Sequence, residues 1–196
     1  MKESFVFLAE GFEEIEALTV VDLLRRAGMP VSTVSITTAL QVTGAHGVTV
    51  TADLLFDNTL FSDAMWLILP GGMPGAKNLY EFAPLAGLLE AQTKSAEGRI
   101  AAICAAPAVV LGQLGLLKGL DATCYPGFEN MLHGAKHVDQ PVVVSGKFVM
   151  ANGPANAMKW ALTIIQETFS SQEAIHIAND LLLYPRDTEE VDYFFG

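Results

Sequence analysis

Cysteine is scarce, with only Cys104 and Cys124 in 196 residues. Two thiols cannot build a many-bridged disulfide framework or a four-cysteine zinc site. With no stretch that reads as a secretion signal, they point to the reducing cytoplasm. Basic residues are few as well: 11 Lys and Arg face 22 Asp and Glu, for a net charge of −11. No basic cluster exceeds Arg25-Arg26, and a field of this sign repels phosphate backbones, which excludes nucleic acid as an expected partner. No uninterrupted apolar run approaches the ~20 residues of a membrane span, so none is expected. The run at 5–9 is too short for a signal-peptide core and reads as a first strand. GxGxxG, Walker A and GxSxG motifs are missing, and His46, His133, His137 and His176 show no metal-ligand spacing. No cofactor or metal is expected.

What is present is apolar material, 51% of the chain, with only 17% charged residues. That balance suits one compact domain spanning 1–196. Short β-branched runs alternate with amphipathic stretches. Strands are predicted at 5–9, 31–36, 65–69 and 100–103, and helices at 14–27, 84–96, 106–114, 155–169 and 172–182. Hairpins are predicted at 41–52, around Gly44-Ala45-His46-Gly47, and at 142–151, around Gly146-Lys147. The acidic tail from Tyr184 ends in Tyr193-Phe194-Phe195, which is expected to dock on the body or on a partner chain. Apolar strands alternating with helices imply a largely parallel sheet covered on both faces. Sites in such sheets form beyond the carboxyl ends of the strands.

Three segments fall at such ends. Ala101-Ala102-Ile103-Cys104-Ala105-Ala106-Pro107 runs from an apolar strand through small residues into a helix, the form of a nucleophile elbow. A thiol there faces the exposed N–H groups of the next helix, an environment expected to lower its pKa. The plain alternative is a buried small residue. Ala9-Glu10-Gly11-Phe12-Glu13-Glu14-Ile15-Glu16-Ala17 sets carboxylates around a helix start. Glu13 and Glu14 read as solvated acids favouring the helix dipole. Glu16, a turn further in, is the one placed to be desolvated, kept protonated and set beside a thiolate. Gly71-Gly72 is either a tight turn or a place where backbone N–H groups approach an oxyanion. Asn152-Gly153-Pro154 is a turn or a pocket wall.

In order and spacing these segments resemble the ThiJ/PfpI superfamily, and within it the branch of ThiJ and the parkinsonism-associated deglycase. Asn152-Gly153-Pro154 is similar to that branch's Gly-Pro loop. The resemblance runs to about Leu182 and implies a flavodoxin-like three-layer α/β sandwich with a mostly parallel central sheet, class I glutamine amidotransferase-like, usually as a homodimer. It also implies that Cys104 is the nucleophile and Glu16 its protonated partner, with the N–H groups of Gly72 and Ala105 forming an anion pocket. The implied activities are cofactor-independent conversion of a small reactive carbonyl such as methylglyoxal to a hydroxy acid, deglycation, and redox-linked chaperoning in which the same cysteine serves as a sensor. Two departures stand out. Ala105 follows Cys104 where protease-like members carry histidine, so peptidase activity is not expected. Tyr125 replaces a histidine before Pro126, and His46 stands where relatives carry an arginine that reaches across the dimer.

Overall fold

The computed structural model describes residues 1–183; the expected docking of the aromatic tail lies outside the described residues. The chain opens with β1 (Ser4–Leu8), buried along its whole length, and α1 (Glu14–Arg26). Next come β2 (Val31–Ser35), the hairpin β3 (Gln41–Thr43) and β4 (Thr49–Thr51), the short β5 (Leu54–Leu55) and β6 (Trp66–Leu69). Helices α2 (Gly75–Glu81) and α3 (Ala83–Lys94) lead to β7 (Arg99–Ile103). Two-residue strands β8 (Asp121–Ala122) and β9 (Lys136–His137) form a small parallel pair. The hairpin β10 (Val142–Ser145) and β11 (Phe148–Ala151) precedes α4 (Ala157–Thr168) and α5 (Ser171–Asp180).

The main sheet has the order β10-β11-β7-β6-β1-β2-β5. Only β10 runs antiparallel, against β11; every other pairing is parallel. Helices α1, α4 and α5 pack together, and α2, α3 and the helical segment Pro107–Gly112 form a second group. The sheet therefore lies inside a three-layer sandwich, and apart from Ser4 and Arg99 at their starts the central strands β1, β6 and β7 are apolar because both faces are covered. The deep indole N–H groups are satisfied: Trp66 donates to Thr168 Oγ1 at 2.8 Å and Trp160 to the Val149 carbonyl at 3.0 Å.

Three local expectations change. The helix predicted at 106–114 is a shorter, wider segment, Pro107–Gly112. Its turns close five residues back, as in Gln113 N–H to Ala108 O and Leu116 N–H to Leu111 O. Pro107 contributes no N–H to it, and Gly112 lies so close to the Met131 carbonyl that a Cβ would collide with it. Helix α2, absent from the helices expected, starts at Gly75 directly after Pro74, where proline is tolerated. Glu14 is buried rather than solvated. It accepts hydrogen bonds from the His46 and Val48 backbone N–H groups at 2.8 and 3.3 Å, and its Oε2 lies 2.9 Å from His46 Nδ1. Burial alone would raise its pKa, but the His46 side chain and these N–H groups hold the carboxyl below its usual value.

Glu14 thus pins the β3–β4 turn to the start of α1. Glu14→Ala is expected to speed amide exchange at His46 and Val48 by about tenfold or more relative to the sheet, read by hydrogen–deuterium exchange.

Candidate active site

Strands β7, β6 and β1 are neighbours, so the segments that follow them meet at one edge. Cys104 comes directly after β7 with φ +64°, a left-handed conformation rare outside glycine. Neighbouring backbone overdetermines the turn: Cys104 N–H donates to Ala151 O at 2.9 Å, and Cys104 O accepts from Tyr125 N–H at 2.7 Å. Such strain persists where the surroundings fix it. The thiol is buried, with the residue 9% exposed.

Glu16 comes from the first turns of α1 and is fully buried. Its Oε2 accepts the Gly71 N–H at 2.7 Å. Its Oε1 has no hydrogen-bond partner of its own among the described residues, and the Cys104 thiol interacts with the same carboxyl. Gly71 cannot be larger, because a Cβ there would stand 2.6 Å from Cys104 Cβ and 2.8 Å from Glu16 Oε2. Gly72, at φ +84°, folds against Gly11 and Glu13 in the same way. The backbone N–H groups of Gly72 and Ala105 both act on the sulfur in the direction that favours thiolate.

These N–H groups do not prevail against an ionised neighbour. Burial and then the negative charge of Glu16 push the Cys104 thiol up to about 12. This corrects the expectation of a lowered thiol pKa: the fold sets a carboxyl beside the sulfur, and the helix that follows is only six residues long. Glu16 is itself pushed up to about 7, by burial first, with Gly71 N–H and Cys104 opposing and the Glu13 charge adding to the rise. Two buried acids side by side resist holding two negative charges, so they titrate as a pair.

The other expected residues divide. Tyr125 touches the elbow through its main chain, while its ring lies against Phe128 and above Gly153. Asn152 Oδ1 accepts from Asn156 Nδ2 at 2.7 Å, a contact within its own loop. His46 lies with Glu13 and Glu14. Their candidate ligand atoms fall within 4.8 Å of one another, but both Glu14 oxygens are occupied by the hydrogen bonds to His46 and Val48, so the cluster serves as a pin. Sequence reasoning missed Ala151, whose carbonyl fixes the elbow, and the influence of Glu13 on Glu16. The i, i+3 spacing of those two acids, one side of a helix, was the available signal. Beside the site, Met73, Val109, Phe128 and Met131 help line a groove of about 290 Å³.

A parallel-sheet sandwich carrying a strained cysteine elbow, a buried glutamate and a close-packed glycine turn defines a cysteine-centred class of α/β proteins. The chain belongs to the DJ-1/PfpI family, whose model matches residues 2–167. It is 34% identical over 191 residues to Protein DJ-1 homolog B of Arabidopsis thaliana, covering 96% of this chain but 43% of that protein. This chain therefore spans less than half the length of that relative. It is also 33% identical over 158 residues to the glutathione-independent glyoxalase DJR-1.2 of Caenorhabditis elegans, covering 80% of this chain and 83% of that one. Among solved structures, oxidized DJ-1 of Toxoplasma gondii superposes with a TM-score of 0.87 at 36% identity, covering 93% of this chain and 98% of that one.

The raised Glu16 pKa has a sign that can be tested. A carboxyl at about 7 in the fold, against a usual 4.5, stabilises fully below about 4.5 and loses that contribution as pH rises through 7. Relative to Glu16→Gln, the wild type should lose on the order of 3 kcal/mol between pH 4 and 8, measured by chemical denaturation at each pH.

Proposed function

We propose that this chain is a cofactor-independent enzyme acting on small reactive carbonyls, with methylglyoxal converted to a hydroxy acid as the model reaction. The observation that carries this reading is the unpartnered, buried Glu16 oxygen beside the Cys104 thiol. A carboxyl with one oxygen held by Gly71 N–H and the other free of hydrogen bonds among the described residues is placed to exchange a proton with whatever binds the sulfur. The likeness to a named glutathione-independent glyoxalase supports the same chemistry.

The thiol supplies its proton and its sulfur adds to the aldehyde carbon, forming a C–S bond and a hemithioacetal hydroxyl. The Gly72 and Ala105 N–H groups stabilise the oxyanion passed through on the way. Glu16 as carboxylate removes the proton from that carbon, and as carboxylic acid delivers one to the adjacent carbon. The aldehyde carbon is thereby oxidised to a thioester while its neighbour is reduced to a carbinol, so no external oxidant enters. Water then cleaves the thioester, releasing the hydroxy acid and restoring the thiol. Thiolate near neutral pH requires the proton to reside on Glu16, since a second negative charge in the site is deferred to about 12. No histidine is among the groups that act on the thiol, so the shuttle falls to Glu16. A homodimer in the cytoplasm is part of this proposal.

A second reading, a redox-sensing or stress-response holdase, uses the same sulfur. The N–H groups of Gly72 and Ala105 that act on the thiolate are also suited to the oxygens of an oxidised sulfur. Steady-state turnover of methylglyoxal separates the two. Cys104→Ala should abolish turnover and Glu16→Gln should lower kcat/KM by about 100-fold or more. No turnover, with selective peroxide oxidation at Cys104, would favour the sensor.

A further inference from the structure

A second charged layer stands behind the Glu16–Cys104 pair. Glu13, at the start of α1, has a side chain only 13% exposed, and its Oε1 lies 3.7 Å from His46 Nδ1. The imidazole is held in place by Glu14, 2.9 Å from the same nitrogen, and Glu14 is anchored in turn by the His46 and Val48 backbone N–H groups. Glu13 also shares the glycine turn with Glu16: its N–H donates to Gly71 O at 3.0 Å, while Gly71 N–H donates to Glu16 Oε2 at 2.7 Å. A histidine more than 30 residues away in sequence is thus set beside the acid whose charge reaches the reacting pair.

We propose that His46 is a positioning residue whose charge, delivered through Glu13, sets how tightly the Glu16–Cys104 pair holds its shared proton. This rests on the reading of Cys104 and Glu16 as the reacting pair. Among the described residues the groups facing Glu16 are Cys104, the Gly71 N–H and Glu13, and His46 is not one of those that act on it directly. The groups facing His46 are Glu14 and Glu13, and both raise its pKa above the usual 6.5.

The sign follows. Protonated His46 offsets the Glu13 charge, weakens the negative field at Glu16 and lets the pair release its proton at lower pH. Neutral His46 leaves Glu13 acting in full, and the pair keeps its proton to higher pH. His46 is raised above its usual value by Glu14 and Glu13, and the loss of its proton opposes the loss of the pair's, so the transition widens.

The test is alkylation of Cys104 by iodoacetamide across pH, read by mass spectrometry on the full chain. His46→Gln should move the midpoint up by about half a pH unit, the size expected for charges several ångströms apart in a partly hydrated site. Glu13→Gln should move it down by a similar amount, and adding His46→Gln to Glu13→Gln should produce no further shift. His46→Arg, which retains the charge at every pH, should keep the low midpoint and narrow the transition. A merely structural role would change melting temperature or amplitude without this pattern. A wild-type step near neutrality that His46→Gln leaves in place, or an equal shift in the Glu13→Gln background, overturns the relay alone. A wild type with no step near neutrality overturns the pair itself and the relay with it.

Discussion

The site depends on one electrostatic constraint: Cys104 and Glu16 are buried side by side, and a desolvated space of that size accommodates one negative charge far more readily than two. Desolvation pushes both groups up, Glu16 to about 7 and Cys104, facing an ionised Glu16, to about 12. The pair therefore holds one proton between them from about pH 7 to about 12. In that range a proton on the carboxyl leaves a thiolate, and a proton on the sulfur leaves a carboxylate. The burial that makes the pair costly in stability also sets a titratable carboxyl directly beside the sulfur.

The rest of the fold serves that approach. Adjacency of β7, β6 and β1 brings Cys104, Gly71 and Glu16 to one edge of the sheet. The left-handed turn at Cys104, tied to Ala151 and Tyr125, aims the thiol. Gly71 then allows the carboxyl and the elbow to close on each other, where any side chain would force them apart. Pinning of the β3–β4 turn by Glu14 sets the exposed His46 ring beside Glu13.

Much of this was legible in the sequence because strand ends announce themselves. The apolar run before Cys104, the small residues after it and the glycines at 71–72 mark sharp, crowded turns at the carboxyl ends of parallel strands. Glu16 was legible by its depth within an amphipathic helix. The direction of the Cys104 shift was not, because a local argument from helix-end N–H groups cannot see a carboxyl delivered by another segment. Burial of Glu14 was likewise hidden, since its partners His46 and Val48 lie more than 30 residues away. Asn152 was legible as a loop residue, but its engagement with Asn156 depends on how the chain enters α4. The wide turn after Cys104 reflects packing of Gly112 against the Met131 carbonyl, a tertiary contact with no local signature.

The shared proton is tested most directly by titrating thiolate ultraviolet absorbance in the wild type against Cys104→Ser, which cancels the contribution of Cys124. If the proton is shared, part of the Cys104 thiolate signal must already rise where Glu16 titrates, near 7, and the rest toward 12. A single step near 12, with no thiolate at neutral pH, would show that Glu16 ionises alone and that the two residues do not share a proton.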